Sequence, residues 1–212
     1  MKKKEEEQEK VSTEEKIKDA AKRVFQKKGF AATRTRDIAE EAGLNLSLLN
    51  YYFRSKEKLF ELIMLETIFE FAKSLILVLN DEDSNIIQKV EIVADRYIEF
   101  IKKQPELPIF ILSESRNNIG NVLENLPVKE ILSNSVLVRQ LKEKAEAGEM
   151  REVNYVHFIM NVLGLIIFPF VAQPLIMGGT SMSSEEFIKM MEERKKLIPI
   201  WVEAMFKVNK LQ

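Results

Sequence analysis

Helical periodicity runs through nearly all of this 212-residue sequence, and no stretch alternates apolar and polar residues as a half-buried strand would. That property points to an all-α chain of about nine helices without an internal repeat. Ser12 and Glu15 have the spacing of a capping box, and Ile17, Ala20, Ala21, Val24 and Phe25 then recur on one helical face. Gly29 stops that helix. Two short helices are expected at 34–42 and 46–53, parted by Gly43, with Asn45 as the N-cap of the second. Ser55 caps a long helix that ends in the polar run 80–85. Further helices are expected at 86–103, after Pro105 and Pro108, and at 128–147. An apolar stretch over 154–177 ends at Gly178-Gly179, and the Ser183/Glu186 pair opens a last helix at 184–208.

The segment TRDIAEEAGLNLSLLNYYF, residues 35–53, carries the most chemistry. Ile38, Ala39 and Ala42 share one side of its first helix, and the small Ala39 permits a close helix crossing. Gly43 takes positive φ at little cost, so a short turn joins the two helices, as in a helix-turn-helix. With about 100° of rotation per residue, Leu49 and Phe53 face the core together with Leu44, just before the helix. Ser47 and Tyr51 then lie nearly opposite, flanked by Leu48 and Asn50, with Leu46 and Tyr52 at the margins. Such a face suits a DNA major groove: Asn pairs bidentately with adenine, and apolar groups meet the thymine methyl. Tyr and Ser hydroxyls reach phosphates. Arg36 is placed to read guanine, and Thr35 and Lys56 to hold the backbone. A helical hairpin within a bundle would explain the apolar pattern equally well.

Charge leans the same way. Residues 1–59 hold 15 Lys and Arg against 11 Asp and Glu, whereas the remainder holds 17 against 22. A basic head on an acidic body fits a phosphate-binding module beside a partner domain, although scattered surface charge gives the same excess. The chain has no Cys, which excludes disulfides and thiolate metal sites, and a single His leaves few transition-metal ligands.

From about residue 16 to 62 the sequence resembles the N-terminal head of TetR-family regulators, in the phrases DAAKRVFQKKGF, TRDIAEEAG and NYYFRSKEKLFELI. The resemblance implies a domain order of flexible lead-in (1–10), helix-turn-helix head (11–57) and all-α ligand-binding and dimerisation body (58–212). It implies DNA contacts at Thr35, Arg36, Asn45, Leu46, Ser47, Leu48, Asn50, Tyr51, Tyr52 and Lys56. Position 46 is commonly polar or basic in such heads and position 50 aromatic or His, so Leu46 and Asn50 set this operator apart. The implied function is a cytoplasmic, homodimeric repressor on a palindromic operator, released by a small, largely apolar effector through movement of the long helix at 56–79. No cofactor is expected.

The body carries no transferable ligand motif. The last two long segments are expected to pair across a dimer, with Ile198, Trp201 and Phe206 as anchors. Tyr97, Phe110, Arg116, His157, Asn161 and Phe168 are the pocket candidates, apolar bodies with a few polar groups. Each is also explained as core, seam or solvated surface. The run 159–177 approaches the length of a membrane span, but Gly164, Pro169 and Pro174 interrupt it, so a buried helix is expected. Neither a Gly-rich phosphate loop nor an HExxH helix suggests an enzyme. The competing function is a helical ligand- or partner-binding protein whose head no longer binds DNA specifically, favoured by the apolar Leu46 and Leu48.

Overall fold

The computed structural model describes residues 2–117, 133–149 and 154–207, with side chains over 12–112, 133–149 and 154–206. Among the described residues there are ten helices and no strand. They are α1 (Lys2–Lys28), α2 (Thr35–Ala42), α3 (Leu46–Phe53), α4 (Lys56–Leu79) and α5 (Ile86–Lys103). α6 (Leu107–Asn117), α7 (Val136–Glu146), α8 (Tyr155–Val171), α9 (Gln173–Thr180) and α10 (Ser184–Lys207) follow. Two compact units result, Met1–Glu70 and Phe71–Gln212.

The first unit departs from the expected lead-in. α1 starts at Lys2 and passes through Ser12, so the Ser12/Glu15 pair does not open it. Lys, Glu and Gln are strong helix formers, so the backbone of the lead-in extends the helix. Glu15 instead pairs with the buried Lys18 at 2.7 Å, whose ammonium also meets Glu66 of α4 at 2.8 Å. The core of this unit joins Ile17, Ala20, Ala21 and Phe25 of α1 with Ile38, Leu49, Phe53, Leu59, Phe60 and Ile63. Because Leu59, Phe60 and Ile63 are needed to close it, the head runs to Glu70, past the expected boundary at 57.

The second unit packs α5 against α10, with α7, α8 and α9 around them. Val90, Ala94 and Ile98 meet Phe187, Met191, Ile198 and Val202, all buried. The expected caps at Asn45 and Ser55 and the Ser183/Glu186 box all form. The apolar run does not break at Gly178-Gly179, which lie inside α9. It breaks at Ala172, just ahead of Pro174, with a 63° bend between α8 and α9. Pro174 cannot donate a backbone hydrogen bond to the preceding turn, so the ladder fails there. Only that bent pair taken together has the length and composition of a membrane span; no single described helix does. Pro169 likewise frees the carbonyl of Leu165 within α8, and Arg194 of α10 donates to that oxygen at 2.7 Å while lying over the Trp201 ring. The start of the expected charged helix falls outside the described residues; its visible part, α7, opens with Ser135 as N-cap.

An ion cluster fastens α5 to α10. Lys195 pairs with Asp95 (3.1 Å), Glu192 (2.8 Å) and Glu99, and Lys102 pairs with Glu99 (2.9 Å) and Glu192. Hydrogen bonds from Lys195 and Lys102 bring the Glu99 carboxyl down to about 2, and those from Lys102 and Lys195 hold Glu192 below its ordinary value. A carboxyl with a depressed folded-state pKa stabilises the fold above its unfolded value of about 4.3, and that contribution disappears as pH falls toward the folded value. The Tm should therefore fall between about pH 4.5 and 2, and Glu99→Gln should flatten part of that fall. Because these side chains are partly solvated, the effect amounts to about 1 kcal/mol or less, read by thermal melts of both proteins across the pH series.

Candidate nucleic-acid interface

Three local devices hold α2 and α3 as a pair. Gly43 adopts φ 66°, and the N–H groups of Gly43 and Leu44 donate to the carbonyls of Glu40 (3.1 Å) and Ala39 (2.9 Å). That closes α2 in a left-handed cap which a Cβ would strain. Asn45 Oδ1 then accepts from the Leu48 N–H at 2.7 Å and starts α3. Ile38, Ala39 and Leu49 are buried between the helices. The side opposite Leu49 is left open: Ser47, Asn50 and Tyr51 are exposed, Tyr51 at 69%, with Leu46, Leu48 and Tyr52 half-exposed beside them. Tyr52 braces Tyr51 edge-on at 5.4 Å between centroids. On α3, Ser47, Asn50 and Tyr51 thus lie on the side away from the core, and the helical-wheel placement of Leu49 and Phe53 in the core matches the structure.

Thr35 and Arg36 stand at the N-terminus of α2, half-buried and exposed respectively. Their position is set by the turn before them. Gly29 at φ 75° ends α1, and Phe30 packs against Phe25 and Phe60. Thr33, itself buried, donates its hydroxyl to the Gly29 carbonyl at 2.7 Å. Asp37 accepts from the Arg34 N–H at 2.9 Å and pairs with Lys28 at 3.0 Å. Arg23 pairs with Glu41 at 2.7 Å, a second tie from α1 to α2.

Lys56 has a role that sequence reasoning missed. Its ammonium donates to the carbonyls of Phe30 and Thr33, both at 3.0 Å, and lies 4.2 Å from the Phe30 ring centroid. It fastens the turn that delivers Thr35 and Arg36, and one N–H is left for a phosphate. No spacing rule links position 56 to positions 30 and 33, so only the folded chain reveals this. Lys56→Met should lower the Tm as well as DNA affinity, since two carbonyls lose their donor at a cost of about 1–2 kcal/mol. Thermal melts beside binding curves check it, and an unchanged Tm would contradict the bracing role.

The body candidates do not converge. Tyr97 on α5 lies edge-on to Phe71 at 4.7 Å, and burial pushes its phenol up to about 12. Phe110 is half-buried on α6, and the side chain of Arg116 lies outside the described residues. His157, Asn161 and Phe168 are all exposed on α8 among the described residues, with Asn161 donating to the Met205 sulfur at 3.8 Å. Helical rotation explains it: the residues facing inward are Phe158, Val162 and Ile166. The expected anchors also turn inward, for Ile198 is fully buried and Trp201 and Phe206 pack onto the core. The outward residues of α10 are their neighbours Leu197, Ile200 and Met205.

A short helix with a polar outer face, set across a second helix by a glycine turn, is the arrangement of a helix-turn-helix DNA-binding head. Residues 17–63 match the family model described as bacterial regulatory proteins, tetR family. Over 210 residues the chain is 26% identical to the probable HTH-type transcriptional regulator YttP of Bacillus subtilis (strain 168), spanning 94% of this chain and 97% of that protein. The fold is shared with Salmonella enterica GusR (TM-score 0.60, 18% identity, 93% of this chain and 96% of that one). It is shared also with the transcriptional regulator FadR of Bacillus subtilis, solved in complex with stearoyl-CoA (TM-score 0.56, 18% identity, 86% and 96%). The head therefore resembles that of the tetR family of bacterial regulatory proteins, and the chain as a whole is similar to a probable transcriptional regulator.

Proposed function

We propose that this protein is a homodimeric repressor that leaves its operator when a small, largely apolar effector binds the body. The open face of α3, with Ser47, Asn50 and the 69%-exposed Tyr51 standing over a buried Leu49, carries the DNA half of this reading. Asn50 is the candidate for adenine, Leu46 and Leu48 for thymine methyls, Arg36 for guanine, and Thr35, Asn45, Ser47, Tyr51, Tyr52 and Lys56 for the backbone. The half-exposure of Leu46 and Leu48 fits methyl contacts and weakens the case for a head that has abandoned DNA.

Dimerisation is supported by an apolar surface that one chain leaves uncovered. On α8, Val156, Met160 and Phe168 form a stripe at four-residue spacing, with Gly164 between them. A Cβ on Gly164 would meet nothing within the chain, so a second helix has room to approach. On α10, Leu197, Ile200 and Met205 face outward. The two helices touch through the stacked rings of Phe158 and Phe206, 5.9 Å apart, so their outward stripes are neighbours. A two-fold pairing of these stripes makes a four-helix seam. A dimer that binds a palindromic operator needs its two recognition helices about 34–36 Å apart, or a multiple of that, to enter successive major grooves. His157 and Asn161 then belong to the seam, not to a pocket.

The effector's apolar character is supported by the aromatic group where Phe71 stacks on Phe100 at 3.9 Å and meets Tyr97, and by the stearoyl-CoA that the fold-sharing FadR binds. The effector acts by preferring the released conformation; about 5.5 kcal/mol of preference converts a 1:99 mixture to 99:1. A mobility shift with the DNA upstream of the protein's own reading frame tests the whole. Retardation relieved by long-chain acyl compounds is expected, and no retardation at low salt would overturn the proposal.

A further inference from the structure

We propose that Arg54 is a phosphate-contacting residue that extends the reading face of α3 by one turn, an inference that rests on α3 being the recognition helix. Arg54 closes α3, its N–H donating to the Asn50 carbonyl at 3.0 Å. The Ser55 N–H then donates back to the Phe53 carbonyl at 2.5 Å, across Arg54 at φ 57° and ψ −42°. This is a γ-turn of the rare, strained hand. Glycine occupies such backbone freely, whereas a residue with a Cβ does not. Among the described residues only Arg54 and Ser181 are non-glycines at positive φ. A long basic side chain therefore stands where the backbone favours Gly. Strain of this kind persists where the surroundings impose it and clusters at functional positions.

The turn also explains how α4 starts only three residues after α3 ends, at Lys56. Its consequence for DNA comes from position. Arg54 is the residue at which α3 ends, one turn beyond Asn50, so its side chain leaves from the C-terminal end of the helix that carries Ser47 and Tyr51. Its side chain is exposed and pairs with no described residue, while Lys56, two positions on, is occupied by the Phe30 and Thr33 carbonyls. In a helix-turn-helix the N-terminal part of the recognition helix meets base edges, and the far end leaves the groove toward the backbone. Among the described residues, Arg54 is the exposed cation at the very end of α3. A guanidinium there takes a phosphate through two parallel N–H groups and carries no sequence information.

The test uses the full chain with Arg54→Gly and Arg54→Lys, a duplex selected by the wild-type protein and an unrelated duplex, each titrated over a salt series beside thermal melts. Arg54→Gly should raise the Tm by relieving the turn, yet weaken both duplexes by the same factor of about 5–20. It should lower the slope of log K against log salt by about 0.9, the loss of one phosphate contact. Arg54→Lys should keep the slope. An unchanged slope with Arg54→Gly would overturn the proposal, and a loss confined to the selected duplex would make Arg54 a base reader and overturn it too. If the wild-type protein binds neither duplex at low salt, the underlying reading of α3 falls, and this inference with it.

Discussion

The double substitution Phe168→Glu with Ile200→Glu should leave a folded but monomeric protein whose affinity for its operator drops about 100-fold or more. Both side chains are well exposed in the single chain, at 65% and 59%, so neither change reaches the core. The Phe187, Met191 and Ile198 packing that holds α10 in place is untouched. In the proposed dimer, however, two carboxylates per chain would be forced into an apolar seam next to their symmetry mates. Burying an unpaired charge costs more than any side chain in such a seam contributes, so the dimer dissociates. Losing the second head removes the effective concentration that couples the two half-sites, worth about 100- to 10,000-fold in such assemblies. Sedimentation equilibrium and operator titration on the same sample check both halves. A variant that remains dimeric would mean that the chains associate through another surface.

The second large effect is expected at Lys89. Its side chain is fully buried, and its ammonium donates to the carbonyls of Asp81 and Ser84 and, at 2.8 Å, to the Ser84 hydroxyl. Burial pulls its pKa below the ordinary lysine value, and the Asp81 and Glu82 carboxylates offset only part of that. Around it, Gln140 donates to the Ser84 carbonyl at 2.9 Å, Asn80 accepts from the Val136 N–H at 3.3 Å, and Arg139 pairs with Glu82. Lys89 thus holds the α4–α5 turn in the shape that α7 docks onto. Lys89→Met keeps the bulk and removes the donors, leaving the turn's oxygens short of partners. A loss of about 3 kcal/mol follows, or roughly 10 °C in Tm for a chain of this size. Urea unfolding gives the energy directly, and a midpoint equal to wild type would show that water or rearranged backbone serves the turn equally well.

The head was legible in the sequence because its signals are local. Gly43, Asn45 and Ser55 act within three residues of themselves, and each acts as its chemistry suggests. The α3 wheel needed only the helical repeat to sort Leu49 from Tyr51. Long-range features were opaque. Lys56 reaches back to Phe30, Lys18 reaches forward to Glu66, and Arg194 reaches across to a carbonyl that Pro169 leaves free. None of these follows from spacing. In the body, wheel positions one residue apart decide between core and seam. Ile198 and Trp201 were expected outside and pack inside, while Leu197 and Ile200 face out, because α8 and α10 are apolar on more than one side and periodicity alone gives no phase. The proline at 174, not the glycine pair at 178 and 179, breaks the apolar run, for a missing donor interrupts a helix more firmly than a flexible residue does.

Selection of the full-length protein on a pool of random duplexes, followed by salt titration on the enriched sequences, puts the DNA-reading face of α3 to the most direct test. The proposed dimer predicts a two-fold symmetric site with half-sites one helical turn, or a multiple of it, apart. Arg36→Ala and Asn50→Ala should each relax the preference at defined positions, at a cost of about 1–3 kcal/mol. Enrichment of no common sequence, with weak binding that salt abolishes equally on every duplex, would contradict it.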